Sequence, residues 1–278
     1  MVRPKEQMVL PTLRDRLGAR SAGMAKYIRT LSTRLEWRAV RALHQKKFRQ
    51  EQGSFLVQGP KLIAELLASS WRVRAIHVAE GAAHDFPREL VQVHPPHELE
   101  RMGTLESGNT MIAVAAMPAP MPIAPLQEDE LVLALDGIAD PGNMGTLLRI
   151  ADWFGARRVL CSTDSVEEFN PKCVQASMGS LFRVAVQRCD LPRELDRLRA
   201  EGAALYLASM EGDDAFTLRL QRPAILILGS ESHGPSPAVR GIGARIIAVP
   251  RAGAAESLNV AMAASALCME FLRQARTL

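Results

Sequence analysis

The sequence predicts a two-part α/β protein whose second half is a mostly parallel sheet covered by helices. Three observations carry this. From Leu131 onward, short runs rich in Val, Ile and Leu alternate with amphipathic segments, the pattern of strands buried between crossover helices. The stretch "MPAPMPIAPLQEDE" holds Pro118, Pro120, Pro122 and Pro125, which lack backbone donors and fix φ, so residues 117–127 read as an extended, stiff connection. A chain of 278 residues, 47% of them hydrophobic, is also large enough for more than one core.

Taken in order, residues 1–30 lack a sustained hydrophobic period and predict a flexible basic arm. A basic helix follows in "RLEWRAVRALHQKKFRQEQ", with Leu35, Val40, Leu43 and Phe48 as its buried stripe. A strand "SFLVQG", a helix "PKLIAELLAS" opened by Pro60, a strand "VRAIHVAE" and a last strand "TMIAVAAM" complete a small unit over 31–116. The second unit, 128–278, begins with a strand over 131–135 and a helix from Met144 to Phe154. A strand "RVLCS", a helix "PKCVQASMGSL", a strand "RVAVQ" and a helix "LPRELDRLRAEG" come next. Strands "ALYLAS", "AILILG" and "RIIAVP" lead to a final helix in "ESLNVAMAASALCMEFLRQ".

Composition excludes several classes. No apolar run approaches the roughly 18 to 20 residues of a membrane span, and charges break the first twenty residues before a signal-peptide core could form, so a soluble cytoplasmic protein is expected. Cys161, Cys173, Cys189 and Cys268 form no C-x-x-C pair and the six histidines no ligand cluster, so neither a disulfide framework nor a metal site is expected. Residues 1–60 hold thirteen Lys or Arg against four Asp or Glu, a balance of +9; since the whole chain carries +4, the remainder sums to about −5. That asymmetry fits a polyanion-binding end or a solvated basic tail.

Ligands of open parallel sheets sit beyond the carboxyl ends of the strands, and three such loops are unusual. In "LDGIADPGNMGTLLRIADWFGA" the chain turns through Pro141-Gly142 and starts a helix with Asn143 as the expected cap. Its amino end suits an anion, and Arg149, six residues on, suits a phosphate or carboxylate; a capped helix with a solvated arginine is the plainer alternative. The second loop, "LILGSESHGPSP", is neither a P-loop nor a G-x-G-x-x-G turn, and without G-x-S-x-G it gives little support to a Ser232/His233 hydrolase pair. The third, "VPRAGAAESLNV", places Ser257 and Asn259 where an otherwise apolar helix begins, either as caps or as site residues.

Together these loops resemble the three signature motifs of the SpoU (TrmH-like) family of RNA ribose 2′-O-methyltransferases, within the SPOUT superfamily. "DPGNMGTLLRIADWFG" matches the first with Asn143, Gly145 and Arg149, and "ILGSESHG" the second with Gly229, Glu231 and Gly234. "VPRAGAAESLNVAMAA" matches the third with Pro250, Gly253, Ser257, Leu258 and Asn259, and "NPKCVQASMGSLFRVAV" resembles the intervening helix and strand. Ser232-His233 and Pro235 depart from the family pattern. "FLVQGPKLIAELL", after the basic helix, resembles the small L30e-like substrate-binding domain that precedes many of these enzymes.

The resemblance implies a deep trefoil knot over about 224–274 and S-adenosylmethionine held bent by residues around Leu228, Gly229, Val249, Pro250, Ser257 and Leu258. It implies that a ribose 2′-hydroxyl of RNA, most naturally 23S ribosomal RNA with transfer RNA as the alternative, attacks the sulfonium methyl in line. Arg149 would activate that hydroxyl, with Asn143, Glu231, Ser257 and Asn259 ordering the site and no metal required. Arg34, Arg38, Arg41, Lys46, Lys47 and Arg49 would contact RNA phosphates. It further implies a homodimer packed on the final helix and part of the first-motif helix; Leu258, Val260, Met262, Leu267, Met269, Phe271 and Leu272 make the final helix apolar on most of its circumference, for which a monomeric core helix is the plainer alternative. A knotted RNA-binding protein without catalysis is the non-enzymatic alternative, against which the intact motif residues argue.

Overall fold

A computed structural model describes residues 37–105 and 108–276; the arm expected over 1–30, together with Arg34 and Leu35, lies outside the described residues. The first unit opens with helical residues 37–42 and, after a break, α1 (Lys46–Gln52). The single helix expected here is thus two, because the chain turns at 43–45 and frees the carbonyls of Leu43 and His44, which the Arg49 guanidinium captures at 2.8 Å each. Val40 and Leu43 are buried as expected, whereas Phe48 is only half-buried.

The strands β1 (Ser54–Gln58), β2 (Val73–Ala79), β3 (Val91–His94) and β4 (Met111–Ala116) form one sheet in the order β1-β4-β2-β3. Its pairs with β4 are antiparallel and the β2–β3 pair is parallel. Every residue of β1 is buried: Phe55 and Val57 face a core shared with the second unit, while Leu56 faces Val40 and Leu43. The helices α2 (Pro60–Leu67) and α3 (Pro96–Met102) complete this unit.

Residues 117–127 form neither helix nor strand. Side chains of the second unit hold five successive carbonyls of this connection. Gln187 Nε2 donates to Met121 O (3.3 Å) and Pro122 O (3.0 Å), and Arg197 Nη2 to Ile123 O (3.1 Å). Arg158 donates to Ala124 O (2.7 Å) and Pro125 O (3.2 Å).

The second unit runs β5 (Leu131–Asp136), α4 (Pro141–Trp153), β6 (Arg158–Ser162), α5 (Pro171–Ser177), β7 (Ala185–Cys189) and α6 (Leu191–Ala200). It continues through β8 (Ala204–Asp214), β9 (Ala224–Gly229), α7 (Pro237–Arg240), β10 (Arg245–Ala248) and α8 (Val260–Ala275). The order is β10-β8-β9-β5-β6-β7 and every pairing is parallel. Leu133, Ala134, Leu226 and Ile227 in the two central strands are wholly buried, each larger side chain contributing roughly 1.5–3 kcal/mol.

Several boundaries differ from the expectation: α4 starts at Pro141, β8 runs on to Asp214 and α8 starts at Val260. The helix begun at Pro171 ends at Ser177, not Leu181, because Met178 and Gly179 take left-handed φ of 50° and 92°. The strand after it accordingly starts at Ala185. At the carboxyl end, Gln274 accepts from Leu220 N and donates to Leu218 O, both at 2.8 Å, and Tyr206 meets Phe271 edge-on at 5.4 Å. These contacts tie the last helix to β8 and to the segment leading into β9.

Candidate active site

The site follows from sheet order. β5 and β9 lie side by side with Asp136 opposite Gly229, so the loops leaving them start from adjacent positions at the carboxyl edge. The Asp136 carboxylate accepts from Ser236 N at 2.6 Å and joins the second loop to the end of β5. At Gly229 a Cβ would lie 2.2 Å from Pro235 N, so the second loop can fold back on its own strand only over glycine.

In the first loop Asp140, not Asn143, caps α4: its side chain accepts from Asn143 N at 2.9 Å, and the helix begins at Pro141. Lys172 sits 2.9 Å from Asp140; its hydrogen bond, and next the Asn143 amide, hold that carboxyl below its ordinary range. Gly145 serves packing, since a Cβ there would meet Cys173 O at 2.5 Å where α5 crosses α4.

With its capping duty taken by Asp140, the Asn143 side chain reaches across the loops. Its Nδ2 donates to the Glu231 carboxylate, and Asn259 Nδ2 donates to Asn143 Oδ1 at 3.2 Å. Asn259 caps α8 at the same time, accepting from Ala261 N (2.9 Å) and Met262 N (3.4 Å). Ser257 and Asn259 therefore precede the final helix instead of lying in its first turn, and Ser257 is not the cap.

Beside this cluster lies a cleft of about 420 Å³, lined by Leu228, Gly229, Val249, Ser257 and Leu258 together with Glu231 and Asn259. Pro250 is exposed and outside the lining, and so is Arg149, an exposed side chain on α4 with no hydrogen bond or ion pair among the described residues. Sequence reasoning missed Ser209, Met210, Glu211 and Arg240, which also line the cleft. Arg240 comes from the end of α7, whereas Ser209, Met210 and Glu211 arrive through an excursion in β8: partners of β10 jump from Leu207 to Asp213 between Ile246 and Ile247, lifting residues 208–212 out of the ladder. The signal was the polar run "SMEGDD" interrupting an apolar strand.

Glu211 and Glu231 beside Arg240, against apolar walls, suit a ligand carrying charges of both signs. Ser232 and His233 are exposed and share no hydrogen bond with each other. Burial pushes the thiols up, Cys189 to about 11 and Cys268 to about 12, which disfavours the thiolate a nucleophile needs. No group of three His, Cys, Asp or Glu able to hold a metal occurs among the described residues.

Of the candidate RNA contacts, Arg38, Arg41, Lys46 and Lys47 are exposed, with Arg38 stacked over Trp37 at 5.6 Å. Arg49 is a correction: it is only 2% exposed, its guanidinium paired with Glu167 and with the two carbonyls at the helix break, so it has no surface to offer RNA.

Fold and site define an α/β protein with two sheets, a cleft at the switch point of the parallel one and a polar cluster at its mouth. The model of the SpoU rRNA methylase family matches residues 130–269, and that of the MRM3-like substrate-binding domain matches residues 36–114. The chain is 31% identical to a 23S rRNA (uridine(2479)-2′-O)-methyltransferase of Streptomyces viridochromogenes over 86% of this chain and 88% of that protein. It is 33% identical to the 23S rRNA (guanosine(2553)-2′-O)-methyltransferase RlmP of Bacillus subtilis over 81% and 91%. The crystal structure of the SpoU methyltransferase AviRb from S. viridochromogenes in complex with AdoMet superposes with a TM-score of 0.79 at 30% identity, covering 87% of this chain and 98% of that one. The chain belongs to the SpoU rRNA methylase family.

Proposed function

We propose that this protein transfers a methyl group from S-adenosylmethionine to a ribose 2′-hydroxyl of ribosomal RNA, in the large-subunit RNA. The observation that carries the reading is the junction of Asn143 in the first turn of α4, Glu231 in the loop after β9 and Asn259 at the cap of α8, at the mouth of the cleft. The relatives named as 23S rRNA 2′-O-methyltransferases and the AdoMet-bound neighbour support it.

The cleft fits the cofactor by its chemistry. Leu228, Val249 and Leu258 offer an apolar slot for a purine, and Glu211, Glu231 and Arg240 meet a group bearing a cationic sulfur, an ammonium and a carboxylate. When bound, S-adenosylmethionine supplies an electrophilic methyl. The chain's residues then hold the 2′-hydroxyl in line and ease its deprotonation, and positioning alone can contribute several kcal/mol. A guanidinium is a poor proton acceptor, so Arg149 acts as a fixed cation next to the developing alkoxide or the substrate phosphate, not as a free base. Asn143 and Asn259 fix the loops that frame the hydroxyl, and Ser257, at the cleft wall, borders the same space.

In this reading the unit over 31–116 recruits RNA through Arg38, Arg41, Lys46 and Lys47, residues 117–127 join it to the methyltransferase unit over 128–278, and the segment 224–274 threads as a knot. The working form is a cytoplasmic homodimer; among the described residues no helix is long and apolar enough to cross a membrane. The test is transfer of radiolabelled methyl from S-adenosylmethionine to 23S ribosomal RNA and to transfer RNA, with ribose methylation mapped at nucleotide resolution. Label in ribose of the ribosomal RNA is expected. Failure to bind S-adenosylmethionine by calorimetry would sink the enzyme, and label confined to transfer RNA would sink the substrate.

A further inference from the structure

The junction between the two units is built more tightly than a tethered recruitment domain requires. Helix α1 faces two ways: Lys46 and Lys47 are exposed, whereas Arg49 is buried against Glu167 of the second unit. Aromatic rings span the same junction, with Phe55 and Phe169 centred 5.0 Å apart and Trp71 and Phe182 5.5 Å apart. Arg183 pairs with both Glu65 and Asp152, and the five carbonyls from Met121 to Pro125 are held by Gln187, Arg197 and Arg158.

Glu167 also stands next to the active-site framework. Val166 N donates to Ile138 O at 2.8 Å, and Ser165 Oγ accepts from Ile138 N at 3.1 Å. Ile138 lies in the loop that runs on to Asn143. One short segment, residues 165–167, therefore grips the basic helix through Glu167 and the first catalytic loop through its two preceding residues.

We propose that the buried Arg49–Glu167 ion pair is a positioning device that fixes the register of the RNA-recruiting unit against the methyl-transfer site. The distance from the basic helix to that site is then constant and selects the nucleotide modified. This rests on the RNA-methylating reading above. Phosphate contacts carry no sequence information and only position the nucleic acid, so choice of nucleotide needs a rigid frame behind them. A buried ion pair suits that role because losing one partner strands the other charge, whereas replacing both by apolar side chains of similar volume does not.

The test uses the full chain in three forms: Glu167→Gln, Arg49→Met and the double variant Arg49→Met/Glu167→Met. Spin labels at Arg101→Cys and Arg193→Cys, both exposed, in a Cys189→Ser background report the distance between the units by pulsed electron resonance. The parent chain should give one narrow distance. Glu167→Gln should broaden it, raise KM for 23S ribosomal RNA about tenfold while S-adenosylmethionine affinity holds, and spread methylation to neighbouring nucleotides. The double variant should return the narrow distance and the single site. A broad distance in the parent, single-site methylation by Glu167→Gln, or a double variant as impaired as the two single changes combined would each overturn the proposal. A narrow distance in a chain that methylates no RNA would instead overturn the functional reading, and the role in nucleotide choice with it.

Discussion

Asn143 can join the loops because Asp140 caps its helix. An asparagine that capped α4 would direct its side-chain oxygen to a backbone amide; here that oxygen accepts from Asn259 and the amide nitrogen reaches Glu231. Asn259 does both jobs at once, with Oδ1 on its own helix and Nδ2 on Asn143. Arg149 stands apart, exposed and without a hydrogen bond or ion pair among the described residues, as a group waiting for a partner outside the chain would be. Arg149→Ala should therefore lower methyl transfer by a factor of about 100 or more, with S-adenosylmethionine affinity measured by calorimetry within about twofold. An active Arg149→Ala enzyme would remove the arginine from the chemistry, and a variant that loses cofactor affinity would place it in the cleft. That Asn143, Glu231 and Asn259 come together was legible because the family motifs mark them. Arg49 was misread because a charged residue on a basic helix gives no sign of which way it points; only the Glu167 carboxylate, 118 positions away, decides that.

The elements were legible where period and burial agree. β5 and β9 are unbroken apolar runs and fall where the alternation puts them. The break at 43–45 and the excursion at 208–212 were hidden, since each depends on partners distant in sequence: Arg49 at the first, and the register with β10 at the second. One element pair carries a pH consequence. On β2, His77 Nδ1 lies 2.9 Å from Nε2 of His94 on β3, and His94 Nδ1 lies 3.2 Å from Glu98 at the start of α3. Burial first, and the neighbouring His94 second, push His77 down to about 4 from its ordinary 6.5. The unfolded chain thus binds the proton more readily than the folded one, and stability present above pH 6.5 is lost as pH falls toward 4. The loss reaches roughly 3 kcal/mol below that window. Denaturant unfolding from pH 7.5 to 4 should show this acid limb in the parent chain, and His77→Gln should flatten it. An equal slope in both would mean that other groups govern acid unfolding.

At the scale of the whole molecule, the face shared by α4 and α8 leaves large apolar side chains exposed. These helices pack against each other, yet Trp153 on α4 is 81% exposed, and Met262 and Met269 on α8 are 64% and 52% exposed. Val260, Leu267 and Phe271 on the same helix are buried in the core, so α8 divides its apolar circumference between the interior and this outer face. Met262 and Met269, seven residues apart, share one side of the helix, and Trp153 lies four residues beyond Arg149 on α4. A second copy covering this face would bury it and come up beside Arg149; a stable dimer of this kind removes about 800 Å² per partner from water. If the proposed homodimer packs on this face, Met262→Glu/Met269→Glu should convert it to monomer in sedimentation equilibrium. Its effect on the fold itself should stay within about 0.5 kcal/mol, because both side chains are exposed in the single chain. Methyl transfer should fall with the dimer, since the surface beside Arg149 is then left open. If the double variant still sediments as a dimer, the interface lies elsewhere; if it is monomeric and fully active, one chain suffices for the reaction.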